Sequence, residues 1–337
     1  MSAGSVAPFR VGARPEQLRD EAGYGDRMSA NDLSVPPQGA VDHQITRPDG
    51  RVVAFTTWGA HDDRAVLRIP GTPGSRFTLR ADTTPWSERG LRMITTERPG
   101  FGASTRLPGR GFNEHADDLV AVLDELGLGR VPVIGGSGAA PHILALCARH
   151  PDRVEAATIV VGAAPLVDAE IDQMIGLNAT AHRMGLAGDR AGITALLADA
   201  RASILADPLG GFRTVMETAP PADQEIMNDP DWQTSFLAAI SEALRPEVEG
   251  WVDEGQAIRL RWDDIDLDAL DCTVTWWHGT EDRNAPLSAA RRLVDRVSDA
   301  RLIVWDDGGH FTGYRKEEEI LDELLSRCQD SPGATGA

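Results

Sequence analysis

Among residues able to do covalent chemistry, Ser137 has the most distinctive setting. In Val131-Pro132-Val133-Ile134-Gly135-Gly136-Ser137-Gly138-Ala139 a short apolar run passes through small residues into a helix-forming stretch. A serine on such a strand-to-helix turn presents its hydroxyl clear of the backbone. The turn is strained and closely packed, so its flanks must be small, as Gly135 and Ala139 are. Near neutral pH a hydroxyl attacks a carbonyl carbon poorly. A base must take its proton, and a carboxylate must hold that base in one tautomer. His310, in Trp305-Asp306-Asp307-Gly308-Gly309-His310-Phe311, is the candidate base. Asp282, in Trp277-His278-Gly279-Thr280-Glu281-Asp282-Arg283-Asn284-Ala285-Pro286, is the candidate acid. Both loops directly follow strand-like runs, which puts them at one edge of a sheet. The developing oxyanion needs two backbone N–H donors. Gly138 supplies one, and Thr72 in Arg68-Ile69-Pro70-Gly71-Thr72-Pro73-Gly74-Ser75 is the candidate for the other.

Blander readings compete for several residues. A small-residue pattern around serine also occurs in ordinary turns, and it gains weight here from the strand before it and the helix after it. His142, on the helix after Ser137, and His278, at a strand end, read as packed structural groups. Glu281, Asp306 and Asp307 compete with Asp282, which only its place in the loop favours. Asp168, Glu170, Asp172 and Glu217 could hold a substrate ammonium group, but read better as a solvated helical face. The run Asp263-Asp264-Ile265-Asp266-Leu267-Asp268 alternates with apolar residues, as a hydrated connector rather than a calcium loop would. Trp232, Trp251 and Trp262 could equally line a substrate pocket or pack a helical layer.

The elements that must position these groups follow from periodicity. His43 to Arg47 and Val52 to Trp58 flank Pro48-Asp49-Gly50, a turn composition, and read as a hairpin. Apolar runs at Ala65–Ile69, Leu91–Thr95, Val131–Ile134 and Ala157–Val161 alternate with helical stretches, the pattern of a parallel sheet with crossover helices. From about 165 to 269 strand-like runs cease and helical spacing takes over, as in Ile193–Leu205 and Phe236–Leu244. Strands resume at Cys272–Trp277 and Arg301–Trp305. The expected organisation is an N-terminal arm over 1–38, a sheet-and-helix core over 39–164 and 270–329, a helical cap over 165–269 and a tail over 330–337.

The 337 residues are 42% hydrophobic and 25% charged, an ordinary globular composition. A net charge of −19 repels nucleic acid and anionic lipid, so neither is an expected partner. Lys316 is the sole lysine, so the positive charge is almost all arginine. The three cysteines, Cys147, Cys272 and Cys328, are widely spaced and suggest neither a disulfide framework nor a zinc site. With no apolar run near the roughly 18 residues of a membrane span and no secretory signal, the expected location is the cytoplasm. Oligomeric state is not legible.

Taken in order, Pro70-Gly71-Thr72-Pro73-Gly74-Ser75, Glu97-Arg98-Pro99-Gly100-Phe101-Gly102, the serine turn, His278-Gly279-Thr280-Glu281-Asp282 and Gly308-Gly309-His310 resemble the motif series of capped α/β-hydrolases. The chain order serine, aspartate, histidine is the order of that fold. The stretch from Gly135 to His142 is similar to the esterase and proline iminopeptidase-like branch. The resemblance implies a mostly parallel eight-stranded sheet with flanking helices and an inserted cap, a catalytic triad of Ser137, Asp282 and His310, a small-molecule substrate, and no metal or organic cofactor. The implied reaction is hydrolysis of an ester, thioester, lactone or amide. A non-hydrolytic relative, catalysing cyclisation or rearrangement or acting as a ligand receptor, is the alternative. Two positions depart from the pattern. Pro70 replaces the usual histidine that braces the oxyanion loop, and Glu97 replaces the more common aspartate.

Overall fold

The computed structural model describes residues 34–329. The expected arm therefore falls largely, and the expected tail wholly, outside the described residues. Eight strands form one sheet: β1 (Val41–Thr46), β2 (Val52–Trp58), β3 (Arg64–Ile69), β4 (Leu91–Thr96), β5 (Val131–Gly136), β6 (Val154–Val160), β7 (Thr273–Gly279) and β8 (Ala300–Trp305). Their order is β1-β2-β4-β3-β5-β6-β7-β8. β1 and β2 pair antiparallel around the expected hairpin, β2 joins β4 antiparallel, and all other pairings are parallel. At the hairpin turn Gly50 takes φ 86°, which glycine adopts without steric cost.

Alternation along each strand divides its side chains between two helical layers. Leu67, Val133 and Trp276 point into a core built with helices α1 (Asn113–Glu125) and α2 (Ala140–Arg149). Their neighbours Val66, Ile134 and Trp277 point into the opposite core, with Trp86 and Leu321. α1 forms because Ala116, Leu119, Val122 and Leu123 recur at helical spacing and bury one stripe.

Between β6 and β7 the described residues contain helices and no strand. The longer ones are α3 (Gly176–Leu186), α4 (Arg190–Ala206), α5 (Pro208–Val215), α6 (Pro221–Met227), α7 (Pro230–Ala243) and α8 (Glu249–Leu260). They enclose apolar clusters of their own, around Ile193, Leu197 and Val252 and around Met216, Ile226 and Trp232. α9 (Leu287–Val294) and α10 (Glu317–Gln329) complete the layers on the sheet. The insertion meets the sheet body at backbone distance: a Cβ on Gly250 of α8 would lie 2.1 Å from the Gly100 carbonyl oxygen. Only glycine permits that approach.

After β4 the chain crosses β3 to form β5, so the carboxyl ends of β3 and β5 lie side by side where the winding reverses. Loops that leave adjacent strands at such a point face a common crevice. The loop 70–75 and Ser137 leave from these ends, and the Asp282 and His310 loops leave β7 and β8 at the same edge.

Candidate active site

Ser137 takes φ 54°, a left-handed conformation that costs a non-glycine residue about 1–2 kcal/mol. Packing around it enforces the turn. A Cβ on Gly135 would lie 2.5 Å from the Ile69 carbonyl oxygen and 2.8 Å from the Ala139 methyl. Ala139 is thus accommodated because the residue facing it has no side chain. We expect Gly135→Ala to destabilise the protein by about 1–3 kcal/mol through overpacking and to lower the calorimetric midpoint by several degrees. An unchanged midpoint would show that β3 and β5 can move apart freely.

His310 Nδ1 lies 2.8 Å from Asp282 Oδ2. The other Asp282 oxygen accepts from the Asn284 N–H at 2.8 Å and the Ala285 N–H at 2.9 Å, which fixes the carboxylate plane. Burial opposes ionisation of Asp282, yet His310, His278 and their hydrogen bonds hold its carboxyl well below the usual range. Of the competitors, Glu281, Asp306 and Asp307 are exposed, whereas Asp282 is buried. His278 is structural in geometry: its Nδ1 accepts from Trp276 Nε1 at 3.1 Å, leaving Nε2–H to donate to the Ala285 carbonyl at 2.7 Å. The loops after β7 and β8 touch through their glycines, since a Cβ on Gly279 would lie 2.0 Å from the Gly308 carbonyl oxygen.

A carboxylate from the helical insertion holds the histidine loop from above. Asp223 on α6 accepts the backbone N–H of His310 at 3.0 Å and of Phe311 at 2.8 Å. Gly309 is required beneath it, because a Cβ there would lie 2.4 Å from Asp223 Oδ1. Burial alone would lower the His310 pKa, but the negative charges of Asp282 and Asp223 raise it above the ordinary histidine value.

Pro70 cannot brace its own loop, and Arg98 does so instead. The Arg98 guanidinium donates to the carbonyls of Pro70 and Gly71. Its Nε lies 3.3 Å from Glu254 Oε1, and Glu254 also pairs with Arg110, His142 and the Thr72 hydroxyl. All these charges are buried. Burial would raise the Glu254 carboxyl, but the surrounding cationic groups hold it well below its usual range, while burial brings His142 down to about 4. At neutral pH we therefore take His142 as neutral and Glu254 as ionised by its two arginines. The Thr72 N–H donates to no acceptor among the described residues. Gly138 lies in the first turn of the following helix, where N–H groups have no intrahelical acceptor. Glu97 reaches both the Arg76 guanidinium at 2.7 Å and the Ala103 N–H at 2.8 Å.

Ser137 and His310 face one cavity of about 350 Å³, which Thr72, Trp232 and Phe311 also line. No hydrogen bond joins the Ser137 hydroxyl to His310 among the described contacts. A second lobe of about 160 Å³ extends from Ser137 and Gly138 into the insertion, where Trp251 lines it. Trp262 lines neither lobe; it packs against Phe112. Asp168, Glu170, Asp172 and Glu217 are likewise outside both lobes, and Glu170 is engaged by Arg292 and Ser288. In the acidic connector Asp266 caps the N–H of Asp268, and Asp264 pairs with Arg261.

Residues 65–316 match the family model for the alpha/beta hydrolase fold. The chain belongs to this family. It is 28% identical over 239 residues to a 2-hydroxymuconate semialdehyde hydrolase of Pseudomonas putida, covering 69% of this chain and 75% of that one. It is 29% identical over 266 residues to a pimeloyl-[acyl-carrier protein] methyl ester esterase of Aromatoleum aromaticum, covering 72% and 91%. A thermophilic esterase from Thermogutta terrifontis superposes with a TM-score of 0.59 at 20% identity, over 86% of this chain and 99% of that one. The protein is accordingly an enzyme of the α/β-hydrolase kind. No helix among the described residues is long and apolar enough to cross a membrane.

Sequence patterning left Asp223 and Glu254 unmarked, because their partners lie far along the chain. Arg98 sat inside a quoted motif without a role. An isolated arginine before Pro-Gly gives no sign of the carbonyls it will meet.

Proposed function

We propose that this enzyme is a serine hydrolase that cleaves an ester, thioester, lactone or amide of a small to medium organic substrate through an acyl-Ser137 intermediate. The observation that carries the reading is the Asp282–His310 hydrogen bond on a loop facing the same cavity as a serine held at φ 54°. His310 Nε2 takes the hydroxyl proton as Ser137 Oγ attacks the carbonyl carbon, and the Ser137–His310 hydrogen bond that this requires forms as substrate fills the cavity. Asp282 keeps the proton on Nδ1 and stabilises the imidazolium. The Thr72 and Gly138 N–H groups receive the oxyanion. His310 then protonates the departing alcohol, thiol or amine, or the ring oxygen or nitrogen that remains tethered in a lactone or lactam. Water, deprotonated by His310, breaks the acyl-serine bond and releases the acid. Residues 165–269 act as a cap that closes this chemistry off from bulk water.

The Arg98 clamp on the Pro70 and Gly71 carbonyls supplies loop support of the kind expected of the histidine that Pro70 replaces, which supports the hydrolytic reading over the non-hydrolytic alternative. Labelling with a fluorophosphonate tests the assignment: covalent modification at Ser137, lost in Ser137→Ala, is expected, and folded protein that resists the label would overturn it. A p-nitrophenyl ester series then ranks chain lengths.

The pH dependence follows from the charges around His310. Attack requires neutral imidazole, and Asp282 and Asp223 favour the protonated form, so kcat/KM should rise with pH through a midpoint above 6.5, the ordinary histidine value. Asp223→Asn removes one of the two charges and should move that midpoint down. A wild-type midpoint at or below 6.5 contradicts the assignment of His310 as base.

A further inference from the structure

The lobe that runs from Ser137 into the helical insertion is walled mostly by apolar side chains, among them Leu177, Ile204, Trp251 and Ile258. Besides Thr72, Ser137 and the mutually hydrogen-bonded Asn178 and Asn284, two ionisable groups interrupt this wall: His182 on α3 and Arg259 on α8. The other charged cavity residues are matched. Arg68 and Arg80 both bind Glu317, and His310 binds Asp282. Arg259 is different. Its Nε and Nη1 are sealed from solvent and meet no acceptor, and among the described residues no carboxylate pairs with it. Other arginines of the insertion have acceptors: Arg183, Arg190 and Arg245 form ion pairs, Arg201 donates to the carbonyls of Leu244 and Pro246, and Arg213 to Asn228 Oδ1.

The guanidinium is seated rather than loose. A Cβ on Gly255 would lie 2.5 Å from Arg259 Nη1, and one on Gly185 would lie 2.4 Å from its Cδ. Glycines on two helices thus make the room it occupies. Burial brings Arg259 down to about 10, which still leaves it charged at neutral pH. Burial and this neighbouring cation hold His182 down at about 3, so its imidazole is neutral and can donate one N–H. A buried cation without a counter-charge is costly, and a ligand that brings the counter-charge recovers that cost on binding. Planar guanidinium matches carboxylate with two parallel hydrogen bonds.

We propose that Arg259, with His182 beside it, is a subsite for a free carboxylate on the substrate, and that the preferred substrates are acyl compounds carrying such a group, typified by half-esters of dicarboxylic acids. This assignment rests on the acyl-transfer reading of Ser137. It also disfavours substrates with an ammonium group, since the unmatched charge in the cavity is positive. Hydrolysis of a half-ester consumes one water and yields the dicarboxylate, the alcohol and one proton, with the remote carboxylate unchanged.

The test compares monoethyl esters of C4 to C10 dicarboxylic acids with ethyl esters of equally long monocarboxylic acids, together with ω-acetoxy carboxylates that place the charge on the leaving side. Wild-type enzyme should favour the carboxylated member by at least about 10-fold in kcat/KM at the best length, chiefly through KM. Arg259→Met should cut that preference by about 100-fold, the scale of a lost charge-assisted contact, and Arg259→Lys should keep part of it. Circular dichroism checks that both variants fold. Neutral members preferred at every length, or a preference unaltered in Arg259→Met, would overturn the subsite. If no ester turns over and Ser137 resists the fluorophosphonate, the acyl-transfer reading fails separately. The subsite is then judged by calorimetry of Ser137→Ala with C4 to C10 dicarboxylates. Binding lost in Ser137→Ala/Arg259→Met, with the His182 titration seen by NMR moved upward when ligand is bound, supports it. No binding at any length overturns it.

Discussion

Replacing Ser137 by alanine is expected to lower kcat on the best ester by about 10⁴- to 10⁶-fold while the protein stays folded. His310→Ala should cost a similar factor, and the double variant should be no worse than either single one. In the proposed mechanism hydroxyl and imidazole act as one unit: without the base the serine is not activated, and without the serine the base has nothing to deprotonate. Donors at Thr72 and Gly138 would still stabilise an oxyanion formed by water, so a residual rate above background is expected. The measurement is steady-state hydrolysis of a chromogenic ester, with active-site titration to exclude wild-type contamination. Losses that multiply in the double variant would show that the two side chains serve separate purposes. A Ser137→Ala enzyme within about tenfold of wild type would remove serine from the mechanism.

The second large effect concerns stability as well as rate. Arg98 is buried, donates to the carbonyls of Pro70 and Gly71 and neutralises part of the Glu254 charge. Arg98→Met keeps much of the volume but leaves two carbonyls without their donor and a buried carboxylate short of one partner. Breaking a buried pair from one side typically costs about 3–5 kcal/mol, so we expect a thermal midpoint lower by roughly 10 °C. Enzyme that remains folded should be slower by about 10²- to 10³-fold, the scale of one misplaced oxyanion donor, because Thr72 follows the released carbonyls directly. Arg98→Lys separates the contributions: it retains charge but reaches only one carbonyl, so stability should recover more than rate. Unfolding curves and kcat/KM for both variants decide this. Wild-type values for Arg98→Met in both would mean that the loop is held by Thr72 and Glu254 alone.

The two effects rest on different kinds of information. The serine turn was legible in the amino-acid order because strain there demands small neighbours at fixed offsets, and Gly135 and Ala139 record that demand locally. Asp282 and His310 were legible for a related reason: each follows a strand of strong apolar pattern, and a parallel sheet sends all such loops to one edge. The sheet itself, with its opening hairpin and parallel remainder, follows from period-two burial in strands such as β3 and β7. Place in the loop alone favoured Asp282 over Asp306 and Asp307 in the sequence, and the exposure of both competitors adds to that.

The Arg98 brace on the loop 70–75 lay beyond that reach. Arg98 meets Pro70 and Gly71 across the sheet and Glu254 across the helical insertion, and no periodicity links positions so far apart. Asp223 and Arg259 belong to the same class. In the sequence one is a helical acid and the other a helical base, indistinguishable from solvated neighbours. Packing gave the Asp223 carboxylate two backbone donors and sealed Arg259 Nε and Nη1 from solvent without an acceptor. Local order marked the candidate reactive residues, because turn strain and strand period act over a few positions. Tertiary structure alone decided which charges lost their solvent, and that desolvation is what turns an ordinary side chain into a clamp, a latch or a waiting cation.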